Sequence, residues 1–194
     1  MVRAAGLILA AGTAARFGSA KLQAPLDGRP MLQHVLDLAA ALELNPVVVV
    51  LGDDADELGC ACSWRRETRV VNDHPEDGIS GSVRLGLARL ATSAAERVLV
   101  LLGDQPRLGA VQARRILAVP SDSSRPIVVP RFDGVAGSPV LLERAAWALA
   151  GELRGDRGMS QLFQSRPGLV RFVDIEGPNP DVDTPADLRA LGPS

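Results

Sequence analysis

At 194 residues, with 46% hydrophobic and 23% charged side chains, the chain is long enough to bury a sizeable core, and no apolar run in it reaches membrane-spanning length. A formal charge of −2 gives no general reason to expect DNA or RNA as a partner. The amino terminus runs straight into a strand-like segment without a cleavable signal pattern, so a cytoplasmic protein is expected.

Residues 5–10 read as a buried strand, and the stretch "GLILAAGTAARFGSAK" (6–21) continues it into a run of small residues carrying Arg16 and Lys21. Small residues let a backbone approach a ligand closely, and paired cations suggest that the ligand is an anion. Lys21 is the only lysine in a chain that otherwise uses arginine, and lysine offers a compact, flexible point charge that a planar guanidinium does not mimic. The loop is not G-x-x-x-x-G-K-[ST], since no Ser or Thr follows Lys21, nor is it G-x-G-x-x-G. Its small residues can still present N–H groups as an anion nest, with Arg16 and Lys21 holding a triphosphate. The plainer alternative is a turn with two solvated cations.

Pro30 opens a helix, "PMLQHVLDLAAALEL", with apolar residues at helical spacing. "PVVVVLG" (46–52) is a second strand of the fully buried kind that parallel sheets use. Residues 54–62 suit a short helix that ends on Cys60 and Cys62, a pair spaced badly for a disulfide and only half of a zinc site, so packing is their expected role. A strand at 69–71 and the loop "NDHPEDGISGS" (72–82) lead into a helix through about residue 93. "ERVLVLLGD" (96–104) is the strongest strand; a helix at about 108–118 and a strand at 126–130 follow. "RFDGVAGSPVLL" reads as a strand pair with a Gly-rich bend, "ERAAWALAGEL" as a short helix, and "RGDRGMS" precedes another helical stretch. "LVRFVDI" and "DVDTPADLRAL" close the chain.

This alternation predicts an α/β fold in one domain over 1–194: a Rossmann-like, doubly wound, mostly parallel sheet with a small β excursion. Ligands in such sheets sit at the carboxyl ends of strands. Residues 11–21, 72–82 and 103–106 all follow strands, so they are expected to line one edge.

Asp104, leaving the strongest strand in "LLGDQP", suits Mg²⁺, which prefers few carboxylates together with phosphate oxygens and waters. A helix N-cap is its alternative role. In "DVDTPADL", Thr184, Pro185 and Asp187 make a good helix start without any function, which leaves Asp181 and Asp183 as candidates for a second metal ligand. Ser80 and Ser82 stand at another helix start, where capping accounts for one and a ribose or base contact for the other. His34 belongs to a periodic helix and reads as structural; His74 lies in a loop. No Ser-His-Asp or Cys-His arrangement supports nucleophilic catalysis.

Taken in order, these stretches resemble the MobA-like nucleotidyltransferases, and within them the molybdenum cofactor cytidylyltransferases. "LILAAGTAARFGSAK" is similar to the family's L-A-A-G-x-S-x-R-x-G-x-x-K loop and "NDHPEDGISGSVRLGL" to its N-P-x-x-x-x-G-x-x-x-S segment. "GDQP" resembles its strand-end metal motif, "GVAGSPVLL" its G-x-x-G-[HN]-P-V stretch, and "DVDTPADL" its closing D-I-D-T-P-x-D-L. The resemblance implies a nucleotide-diphospho-sugar transferase-like fold in which a terminal phosphate on a pterin attacks the α-phosphate of a nucleoside triphosphate and pyrophosphate leaves. It implies that Arg16, Lys21 and Asp104 are catalytic, and that Asp104 with Asp183 holds Mg²⁺. Leu9, Ala10, Ala11, Gly12, Lys21, Asn72, Gly78 and Ser82 would bind the nucleotide, and Gly137, Ser138 and Pro139 would face the pterin.

GTP-using relatives tend to show L-A-G-G where this chain has Leu9-Ala10-Ala11-Gly12, so CTP is the expected donor and GTP the alternative. Two positions depart from the branch: Ser138 stands where His is frequent, and Ser160 where a G-D-x-G-A-R pattern places Arg, with Arg157 nearby. Both fall on the acceptor side. The expected partners are the nucleotide, molybdopterin or molybdenum cofactor, and a molybdoenzyme or its maturation chaperone, with no nucleic acid and no membrane. The alternatives are another phosphorylated acceptor, or a maturation factor that binds the cofactor without turnover.

Overall fold

A computed structural model describes residues 4–12, 17 and 21–192. Its centre is a sheet whose strands are β1 (Ala4–Ala10), β4 (Val47–Leu51), β5 (Thr68–Val71), β6 (Arg97–Leu102), β7 (Ile127–Phe132), β9 (Val140–Glu143) and β10 (Val170–Ile175). In space they run β10-β7-β9-β6-β1-β4-β5. A two-strand ribbon, β2 (Pro25–Leu26) with β3 (Arg29–Pro30), stands apart from this sheet. The helices are α1 (Met31–Ala41), α2 (Ala55–Ala61), α3 (Gly78–Leu90), α4 (Ala110–Leu117), α5 (Ser160–Ser165) and α6 (Pro185–Ala190).

The sequence shows why this sheet is covered on both faces. Along β1 successive side chains alternate: Ile8 and Ala10 enter one apolar cluster, Leu7 and Leu9 the other. β4 does the same with Val49 and Leu51 against Val48 and Val50, and β6 with Leu99 and Leu101 against Val98 and Val100. The central positions of such strands are therefore apolar, as the unbroken "VVVV" and "VLVL" runs show. Helix α1 fills one cluster with Met31, Leu32, Val35 and Leu36, and α3 fills the other with Val83, Leu87 and Leu90.

β1 pairs in parallel with β4 on one side and β6 on the other, so the chain reverses its direction of travel across the sheet at β1. β9 runs antiparallel between β6 and β7, and the short β8 (Val135–Ala136) folds back on β7 as a hairpin, which is the small β excursion within an otherwise parallel sheet.

Local differences from the sequence reading have physical causes. The helix expected after residue 82 begins at Gly78, and neither Ser80 nor Ser82 caps it; both hydroxyls bond groups outside the helix start. Residues 144–152 wind as the tighter 3₁₀ form, with the Arg144 guanidinium returning to the carbonyls of Ala91, Ser93 and Ala95 and lying 4.7 Å from the Trp147 ring centroid. Among the described residues no helix is long and apolar enough to cross a membrane.

Candidate nucleotide and metal site

The carboxyl ends of β1 and β6 meet at the reversal point, and the backbone stitches the surrounding loops there. Gly103 N–H donates to the Leu9 carbonyl at 2.9 Å, which carries the pairing of the two strands one residue past the end of β6. Val182 N–H donates to the Asp104 carbonyl at 3.0 Å, bringing the 181–183 segment beside Asp104 across almost eighty residues of chain.

The result is a three-membered charge cluster. Lys21 Nζ lies 2.8 Å from Asp104 Oδ2 and 3.1 Å from Asp183 Oδ1. The lysine side chain is only 13% exposed, so both contacts are shielded from solvent screening on its side. Burial alone would pull the lysine pKa down, but the hydrogen bonds and charges of Asp104 and Asp183 outweigh it and hold the pKa above its ordinary value. Lys21 is therefore a fixed ammonium.

Asp181, two residues before Asp183, plays a different part. Its Oδ1 accepts a 2.7 Å hydrogen bond from Gln105 Nε2. Burial, and then the negative charges of Asp104 and Asp183, push its carboxyl above the usual range against the pull of Gln105 and Lys21. Of the two carboxylates that the sequence offers here, Asp183 is the one that meets Lys21. Thr184, Pro185 and Asp187 form the α6 start: Asp187 N–H donates to Thr184 Oγ1 at 3.2 Å, and Thr184 N–H to Asp187 Oδ2 at 2.7 Å. Asp104 itself caps no helix, since α4 opens on Gly109.

A cavity of about 360 Å³ opens over this cluster. Leu9, Ala10, Ala11 and Gly12 line it with Lys21, Gly78, Ser82, Asp104 and Asp183, so most of the residues singled out in the sequence share one wall or another of the same space. Asn72 stands behind that wall. It is 5% exposed and its Nδ2 donates to Ser82 Oγ at 3.1 Å, which fixes the hydroxyl rather than meeting the cavity. Gly78 has φ +64° at the first turn of α3, where a side chain would be strained. Arg16 lies outside the described residues.

A second cavity of about 480 Å³ adjoins the first, sharing Leu9, Ile79 and Leu102 with it. Gly137 and Ser138 line this one, as does Ser160; Pro139 is buried behind them. A run of polar contacts links the Ser138 segment to the neighbourhood of Asp104. Asn179 Nδ2 donates to Gln105 Oε1 at 3.0 Å and to the Ser138 carbonyl at 2.8 Å, while Gln105 holds Asp181. Gln105 is 7% exposed and sits inside "GDQP" beside Asp104, which is the signal that marks it; Asn179 carries no such signal.

The remaining candidates have local partners. His34 Nε2 donates to the Leu26 carbonyl at 2.8 Å, and His74 pairs with Glu76 at the surface. Both cysteines are free thiols, and burial, with the charge of Asp37, pushes Cys62 up to about 11. Among the described residues no cluster of three or more His, Cys, Asp or Glu is placed to hold a metal ion.

A family model described as the MobA-like NTP transferase domain matches residues 6–170. The purine catabolism protein PucB of Bacillus subtilis is 27% identical over 196 residues, with 94% of this chain and 92% of PucB covered. The bifunctional protein GlmU of Burkholderia thailandensis is 35% identical over 133 residues, which cover 68% of this chain but only 29% of GlmU. Among solved structures, Rv0371c from Mycobacterium tuberculosis H37Rv matches with a TM-score of 0.84 at 29% identity and 97% coverage of both chains, and its complex with manganese matches with a TM-score of 0.82.

Proposed function

The chain belongs to the MobA-like NTP transferase family, and from that premise we propose that it is a nucleotidyltransferase that joins the CMP moiety of CTP to the phosphate of molybdopterin or molybdenum cofactor. The observation that carries the reading is the Lys21 ammonium held between Asp104 and Asp183 in the cavity at the ends of β1 and β6.

The two carboxylates fit a divalent cation. They come from separate loops, converge on one point, and already share a positive charge at 2.8 and 3.1 Å. Two carboxylates suit Mg²⁺, which fills its other positions with phosphate oxygens and waters. Asp104 and Asp183 would hold it, and the crystal structure of Rv0371c in complex with manganese supports a divalent ion. The ion would supply charge neutralisation along the triphosphate.

The protein's own groups account for the rest. An oxygen of the acceptor phosphate attacks the α-phosphorus, the bond from that phosphorus to the oxygen bridging to the β-phosphate breaks, and pyrophosphate carries away the electron pair. Lys21, charged and preplaced, stabilises negative charge on the phosphate oxygens during that exchange. Ser82, fixed by Asn72, and the small residues 9–12 offer the nucleoside a close surface, and the Ala11 methyl narrows the room for a purine. The second cavity, with Gly137 and Ser138, would receive the acceptor.

Pyrophosphate release by the purified protein with Mg²⁺, molybdenum cofactor and each nucleoside triphosphate in turn tests this reading. Release with CTP alone is expected. Release with GTP would overturn the base assignment and keep the reaction. No release with any nucleotide from folded protein would overturn the reaction itself.

A further inference from the structure

The cavity that holds Lys21, Asp104 and Asp183 has a fourth charged lining residue, Asp156, carried by the short 3₁₀ turn Gly155–Arg157. This turn is fastened to the amino end of α3, far away in sequence. Ser80 Oγ donates to the Gly155 carbonyl at 2.6 Å, and Arg84 Nη1 donates to the Leu153 carbonyl at 3.0 Å. Arg84 is itself held by Asp77 at 2.6 Å, and Leu153 is wholly buried.

The packing is close enough to dictate residue type. A Cβ on Gly78 would collide with the Asp156 carboxylate and come within 2.7 Å of the Gly155 carbonyl carbon. A Cβ on Gly158, which has φ +51°, would come within 2.8 Å of Ile79. Both hydrogen bonds to this segment end on main-chain carbonyls of residues 153–155, and the Asp156 side chain lines the cavity.

We infer that Asp156 selects the nucleobase by accepting a hydrogen bond from its exocyclic amino group, an inference that rests on the nucleotidyl-transfer reading. An ionised carboxylate only accepts hydrogen bonds. It repels a triphosphate, and the ammonium of Lys21 is engaged by Asp104 and Asp183 on the wall at the end of β6. Asp156 stands on the wall built by α3, with Gly78 and Ser82. A nucleotide whose phosphates lie at Lys21 turns its other end, the base, toward that wall. The proposed contact is to the exocyclic 4-position of the pyrimidine, where cytosine carries an amino donor and uracil a carbonyl; uracil's own donor, N3–H, lies at the neighbouring ring position. With uracil two acceptors would then face each other with no proton to share.

The test is direct binding of CTP and of UTP, each with Mg²⁺, to the full chain by calorimetry. Because the two nucleotides share ribose and phosphates, their affinity ratio isolates the base. The wild type is expected to favour CTP by about 100-fold, less than fully enclosed sites achieve because Asp156 is exposed. Asp156→Asn keeps the shape and adds an N–H donor, so UTP affinity should rise about tenfold and the ratio narrow. Asp156→Ala should lose CTP affinity and, by removing the opposed acceptor without supplying a donor, gain less UTP affinity than Asp156→Asn does. A wild type indifferent to the base, or a ratio unchanged in Asp156→Asn, overturns the inference while leaving nucleotide binding intact. Failure of folded wild-type protein to bind either nucleotide would overturn the nucleotidyl-transfer reading, and this inference with it.

Discussion

The two cavities that meet at Leu9, Ile79 and Leu102 are chemical opposites. The first, at the strand ends, is lined by Lys21, Asp104, Asp156 and Asp183. Among the described residues the second has no charged lining side chain; Val83, Val100, Met159, Phe163 and Phe172 dominate it, with Ser138, Ser160 and Gln164 as its polar side chains. The contrast follows from where each lies on the sheet. Beyond the last paired residue of β6 the chain is free to carry charge, whereas the flank of β6 and β9 belongs to the apolar cluster that packs under α3. Under the proposed function, the charged half would handle the phosphates and the other would recognise shape with few hydrogen bonds.

The largest expected effect breaks the charged half. Lys21→Ala or Asp104→Ala should lower turnover by about 10²–10³, the usual cost of one well-placed transition-state charge, with the circular dichroism spectrum unchanged. Turnover near wild type in either variant would remove that residue from the chemistry. Asp183→Ala should do less to turnover at saturating Mg²⁺ and shift the Mg²⁺ requirement upward; an unchanged metal titration would return Asp183 to a purely local role.

Damage to the uncharged half should look different. Phe163→Ser, or Gln164→Glu placing a charge there, should raise the acceptor KM by about tenfold while leaving CTP affinity as it was, since about 1–3 kcal/mol is the usual yield of a modest apolar contact. A loss of CTP affinity instead would show that the two cavities do not divide the substrates.

The smallest effect belongs to neither cavity. Thr184→Ala removes the α6 cap and should cost about 1 kcal/mol in denaturant unfolding, with pyrophosphate release unaffected. Its partner gives a pH signature. The hydrogen bonds from Thr184 hold the Asp187 pKa below its ordinary 3.8, so Asp187 adds stability above that pH and loses it as pH falls through the lowered folded value. The melting temperature gap between wild type and Asp187→Asn should accordingly be present at pH 7 and close in acid.

Several features of this molecule are legible in the order of its amino acids. The unbroken apolar runs at β4 and β6 announce strands buried on both faces. Thr184, Pro185 and Asp187 spell out their own capping box. Such signals are local: a few consecutive residues carry them, and the physics acts within one turn or one strand.

Other features depend on residues brought together from distant parts of the chain. Nothing local distinguishes Asp183 from Asp181, yet one meets Lys21 and the other is held by Gln105. Asn72 has the look of a ligand-facing residue in the sequence and stands instead behind Ser82. Asp156 lines the cavity because Ser80 and Arg84, some seventy residues earlier, fasten its turn. Periodicity and turn chemistry are encoded locally, so the elements, their order and the strand edge where a ligand would sit follow from the sequence. Folding alone settles which acids meet the lysine, which asparagine is scaffold, and how the site divides into a charged and an uncharged half, since those outcomes depend on contacts across the sheet that no short window of sequence contains.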